Sequence, residues 1–173
     1  MKYRPSEVVL EVHGKPPRCF ADFKALPVLD AAGLENVFDE LALFRIECKC
    51  GGSKFRIIGF PHPEAGLLCP HQLDCQSCGA VGRLFDIREH GYDAEFGNGC
   101  YSMVGSGESS AHICTCGGHA FGVIVGVSYQ IEPVEDFGDE AVAHIQDFFD
   151  GYSLEARCAA CGVNASVSSY ECA

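Results

Sequence analysis

The chain has 173 residues, 47% of them apolar and 21% charged, with 20 glycines, 12 cysteines and a formal net charge of -12. That length holds one ordinary domain or two very small ones sharing a core, and a near-average composition excludes a large multidomain enzyme, wholesale disorder and a collagen-like fibre. Cysteine content and negative charge are the two departures that carry information.

At the N-terminus, Val8-Val9-Leu10 is far shorter than the apolar core of an export signal, and the longest apolar run, 121–127, is broken by glycine and too short for a membrane helix. A soluble cytoplasmic protein is expected. Reducing cytosol does not sustain a framework of disulfides, so the cysteine spacing is tested against metal binding instead. Residues 8–12 read as a strand and 33–41 as a short helix, so 1–41 form an N-terminal extension.

Eight cysteines then fall into four close pairs: Cys48/Cys50, Cys75/Cys78, Cys114/Cys116 and Cys158/Cys161. Their order, C-x-C, C-x-x-C, C-x-C, C-x-x-C, is one unit written twice. A shift of 66 residues lays Cys48 on Cys114, Cys50 on Cys116, Gly51-Gly52 on Gly117-Gly118, Phe55 on Phe121 and Ile58 on Ile124. This is an internal duplication. Two thiolates on a glycine-bearing turn are what tetrahedral zinc needs twice over, and a C-x-C pair closes a ring too small for ordinary disulfide geometry. Four pairs can be joined in three ways. Loop-closure entropy and the repeat both favour neighbours, which predicts one Zn2+ on Cys48, Cys50, Cys75 and Cys78 and a second on Cys114, Cys116, Cys158 and Cys161. Iron is the alternative ion. Cys69 and His71 lie close enough to Cys75 that either can replace an assigned ligand, and His112 and His119 flank the second C-x-C as candidate donors to its sulfurs. Cys19, Cys100 and Cys172 have no partner at suggestive spacing.

Strand, two-cysteine knuckle, strand, second knuckle and strand together resemble the zinc-ribbon superfamily over roughly 42–90 and 109–173, although a C-x-C knuckle departs from its commoner C-x-x-C. The resemblance implies zinc and a local fold, and no particular activity. Residues 44–47 and 54–58 around the first knuckle read as the two strands of a hairpin, and 111–114 and 120–129 as its second-copy counterpart; 83–88 and 165–170 supply strands after the C-x-x-C knuckles. The expected fold is mainly β with minor helix, two zinc-ribbon-like units packed together. Five glycines within 91–109 mark the junction, giving repeats at 42–95 and 96–173.

The second repeat carries 17 more residues between its knuckles than the first, 41 against 24. Within that insert, residues 139–149 place Val142, Ile145 and Phe149 at helical spacing, an amphipathic helix candidate. From Glu132 to Glu155 there are eight carboxylates and no lysine or arginine. This acidic lobe repels phosphate backbones, and the cluster Arg45, Lys49, Lys54 and Arg56 is too small to bind nucleic acid alone, so the expected partner is a protein with a basic surface. A nucleic-acid-associated ribbon is the second reading. A third is enzymatic: His62-Pro63-Glu64 followed by Cys75 and Cys78 echoes the H-x-E and C-x-x-C elements of zinc deaminases. Only ten residues separate Glu64 from Cys75, no proline stands immediately before Cys75, and four cysteines close a zinc shell against substrate, so no catalytic residue is expected.

Overall fold

A computed structural model describes residues 16–28, 42–90, 104–144 and 149–171. The predicted strand at 8–12 and helix at 33–41 lie outside the described residues, as do Cys100 and Cys172. A 3-10 turn at Arg18–Phe20 leads into β1 (Phe23–Pro27). The first copy follows with β2 (Ala42–Cys48), β3 (Phe55–His62), β4 (Gly66–Cys75), β5 (Val81–Phe85) and the helical turn α1 (Ile87–His90). The second copy has β6 (Ser110–Ala111), β7 (Phe121–Tyr129), α2 (Ile131–Phe137), α3 (Asp139–Ala143), β8 (Phe149–Cys158) and β9 (Asn164–Glu171). The fold is mainly β with minor helix, as expected, and its strands form one nearly closed sheet.

Each copy contributes an antiparallel meander, β3-β4-β5 and β7-β8-β9. The two meet edge to edge at a single residue pair, Phe55 with Phe121. These two phenylalanines are equivalent under the 66-residue shift, so a local two-fold axis passes between them. On one side of the axis β2 fills the edge of β7, pairing Phe44 with Val125 and Arg45 with Ile124; on the other β6 fills the edge of β3, pairing Gly59 with Ser110 and Ile58 with Ala111. The same shift converts Arg45/Ile124 into Ala111/Ile58. The first strand of each copy is therefore laid on the other copy.

This corrects the predicted hairpins. Residues 44–47 do not pair with 54–58; among the described residues β2 is laddered to β1 and β7 only. The turn between them is closed by Cys48 N–H to Gly52 O and Gly51 N–H to Cys48 O, both 2.8 Å, but its flanking strands separate beyond it. A turn that wraps two sulfurs around one point splays its strands, and β7 offers β2 a long valine-rich edge instead. The predicted 111–114 strand is likewise shorter, only Ser110–Ala111. The helix read across 139–149 ends its described span at Ala143, residues 145–148 lie outside the description, and Phe149 opens β8 opposite Tyr129.

Period-two alternation puts Phe121, Val123, Val125, Val127 and Tyr129 of β7 inside, together with Phe55 and Ile57 of β3. Each such side chain removed from water contributes about 1.5–3 kcal/mol. Where the meanders face each other, Tyr152 of β8 stacks on Phe85 of β5, ring centroids 4.2 Å apart, and on His71 of β4 at 5.6 Å. His71 is completely buried. Its Nε2 lies 3.1 Å from Leu67 O and its Nδ1 3.2 Å from Tyr152 Oη. A carbonyl only accepts, so Nε2 donates to Leu67 and Nδ1 accepts from the tyrosine hydroxyl.

Burial pushes the His71 imidazole down from 6.5 to about 4, with the Leu67 carbonyl opposing. A histidine kept neutral in the folded state while the unfolded chain protonates it makes stability fall as pH drops from 6.5 toward 4. At the low end of that window the loss is about 3 kcal/mol. Chemical denaturation across that range should show the wild-type slope flattened in His71→Gln; equal slopes in both proteins would refute the assignment.

Candidate metal centres

The structure gathers all eight predicted cysteines into two quartets, Cys48/Cys50/Cys75/Cys78 and Cys114/Cys116/Cys158/Cys161. In each, one thiol pair sits on the C-x-C turn after β2 or β6 and the other on the C-x-x-C turn after β4 or β8. The first cysteine of every pair is buried and the second exposed. Within a quartet all four sulfurs lie inside 4.8 Å of one another. Cys48 to Cys78 and Cys50 to Cys75 are each 3.7 Å; Cys114 to Cys161 is 3.6 Å and Cys116 to Cys158 is 3.7 Å. A disulfide needs about 2.05 Å, and all the described cysteines are free. Read as the edge of a regular tetrahedron, 3.7 Å places the centre about 2.3 Å from each sulfur, the zinc–thiolate distance. The thiolates of a multinuclear iron–sulfur cluster sit on different irons and stand further apart, so each quartet suits one ion.

Glycine makes the turns possible. Gly51 and Gly117 take φ of 90° and 84°, the left-handed region that side chains resist. Gly52 and Gly118 pass directly beneath the sulfurs: a Cβ on Gly52 would stand 2.9 Å from Cys75 Sγ, and one on Gly118 2.9 Å from Cys158 Sγ.

The same turns aim backbone amides at sulfur. Gly52 N–H points to Cys50 Sγ at 3.3 Å. At Cys75 burial opposes ionisation, but the amides of Cys78 and Ser77 and the neighbouring thiols bring it down to about 7. The amides of Cys161 and Ala160 bring Cys158 to about 6. Cys78 receives the Ala80 amide, yet the thiols of Cys50 and Cys48 push it up to about 12; Cys116 receives that of Gly118, and its three neighbouring thiols push it up equally. Each quartet thus holds thiols drawn toward ionisation, Cys75 in the first and Cys114 and Cys158 in the second, beside one that resists it, as four crowded thiols do when they need a cation to ionise together.

The other candidates stand apart from the quartets. Cys69 and His71 face the interior of β4, where burial pushes the Cys69 thiol up and the His71 ring is engaged by Leu67 and Tyr152, so neither replaces an assigned cysteine. The His112 ring lies against Phe121, centroids 5.0 Å apart, and His119 is exposed. Cys19 is buried and its thiol pushed up to about 12, the setting of an unreactive core thiol. His62 and Glu64 lie at the β3–β4 turn, where His62 Nδ1 accepts the amides of Glu64 and Ala65 at 3.2 and 3.1 Å. Because His62 pairs with Gly66 while Phe55 pairs with Cys75, the H-x-E element and the cysteines occupy opposite ends of one hairpin. The deaminase-like grouping is not assembled.

What the sequence reading missed is Phe55 and Phe121 as the hinge between centres. Their equivalence under the repeat was the available signal.

Compared with protein-family models, with curated proteins and with solved structures, the chain gives no match. The reading of these centres therefore rests on their geometry. Gly52→Ala and Gly118→Ala should each push a ligand sulfur off its corner while leaving all eight cysteines in place. Competition against a chelator is expected to show at least about tenfold weaker metal retention at the altered centre. Unchanged retention would mean that the cradle does not shape the site.

Proposed function

We propose that each quartet binds one Zn2+ as a structural ion and that the protein acts as an interaction module, presenting an acidic surface to a basic protein partner. The observation that carries the metal reading is that two sulfur–sulfur edges of each quartet measure 3.6–3.7 Å in both copies, the edge length of a zinc tetrahedron. Four thiolates close the coordination shell, so the ion supplies folding energy and leaves no position for substrate. In a small β protein that contribution is large, because one ion ties the ends of four strands together.

The partner reading draws on the insert. Val134 is buried and anchors α2, while Glu132, Glu135 and Asp136 on that helix and Asp139 and Glu140 on α3 are exposed. Phe137, 57% exposed, stands among them. An aromatic ring surrounded by carboxylates suits a basic surface with an apolar recess, charge guiding the approach and the ring supplying contact area. Nucleic acid is the weaker alternative, since the cations of the first copy are interleaved with acids: Arg45 Nε lies 3.6 Å from Glu47, and Arg56 faces Asp74 across the ladder.

Elemental analysis of protein purified without added metal should give about two zinc per chain, Cys50→Ser and Cys116→Ser losing about one each. Iron in place of zinc, or no metal, would overturn this reading. Reversing charge at Glu135, Asp136, Asp139 and Glu140 should abolish salt-sensitive capture of protein partners without changing zinc content. An unchanged set of partners would refute the acidic surface.

A further inference from the structure

The strand entering each metal centre does not pair with the strand leaving that centre. β2, which ends on Cys48, is hydrogen-bonded to β7, which emerges from the second C-x-C turn. β6, which leads to Cys114, is hydrogen-bonded to β3, which emerges from the first. The crossing continues to within two residues of a ligand: His112 N–H donates to Ile57 O at 2.8 Å. Between the crossings, the buried pair Phe55 and Phe121 joins the two outgoing strands on the axis itself.

We propose that the two four-cysteine centres load as one cooperative unit, each ion raising the affinity of the other centre through these exchanged strands. The proposal rests on the metal reading above and goes beyond it. Had each copy closed its own hairpin, each ion would order only its own ligands and the centres would fill independently. Here an ion in the first centre fixes β2 relative to β4, and β2 holds the edge of β7; an ion in the second fixes β6 relative to β8, and β6 holds the edge of β3. Whichever ion binds first orders framework that the other centre also needs, and the second meets ligands already in place. Linkage makes the effect reciprocal: each centre must strengthen the other by the same factor, within the fivefold to roughly 150-fold range usual for coupled sites.

The test uses the whole, unaltered chain, stripped of metal under reducing conditions and given one equivalent of Zn2+ per chain. Native mass spectrometry then counts the species. Independent equal sites would leave about half of the molecules carrying one ion, and unequal ones more. Cooperative loading predicts mainly metal-free and two-zinc protein, with the one-zinc species well below that fraction. A one-zinc fraction of half or above overturns the coupling while leaving the metal reading intact; no bound ion at any zinc concentration removes both. As a second measurement, Cys116→Ser should bind its remaining ion at least about fivefold more weakly than the two-zinc wild type holds the ion of that same centre. Equal affinity there would also overturn the coupling.

Discussion

Four sulfurs held within 4.8 Å of one another cannot all be charged without a cation among them, and the rest of this molecule is arranged around meeting that condition twice. The amides turned toward Cys75 and Cys158 lower the cost of ionising those thiols against the opposing effect of burial, while the crowded neighbours Cys78 and Cys116 are pushed up. The β-sheet alone would not bring these turns together. Four charged thiolates with no cation among them would repel one another, so each quartet is built as a site that could hold one.

The constraint is met in the same way at both ends. The hydrogen bonds closing the two C-x-C turns correspond one to one, as do those closing the C-x-x-C turns: Cys75 N–H to Ala80 O is matched by Cys158 N–H to Val163 O, and Gln76 N–H to Lys54 O by Ala159 N–H to Ala120 O. Around those fixed turns the copies have diverged freely. The first knuckle carries Lys49 and is followed by Lys54, whereas the second has Thr115 and Ala120 at those positions and exposes Ile113 where the first has Glu47, so the two centres present unlike surfaces.

How much of this was legible in the sequence depends on whether the signal is local. The eight cysteines and their grouping were readable because ligand spacing and turn glycines are matters of a few residues, and the 66-residue shift tied one set to the other. β7 was readable because it is rich in β-branched residues, with Phe121, Val123, Val125 and Val127 at every second position. β4 was not: Pro70, His71, Gln72 and Asp74 make it look like a loop, and it is a strand because His71 finds Leu67 and Tyr152 inside. β8 was obscured by Val142, Ile145 and Phe149, whose spacing imitates a helix across what becomes a strand start. The exchange of β2 and β6 is a choice between equally good partners far apart in the chain, and no local pattern encodes it.

The local two-fold relation covers the crossed strands and the cysteine turns, while β1, paired with β2, already lies outside it. The additional 17 residues belong to one copy only, so α2 and α3, an arm anchored on the core through Val134 and Val142, have no counterpart among the described residues of the other. Two separate identical half-chains assembled in the same crossed manner would have to carry that arm twice or not at all. Within one polypeptide the two halves are free to differ, so each chain carries that arm once.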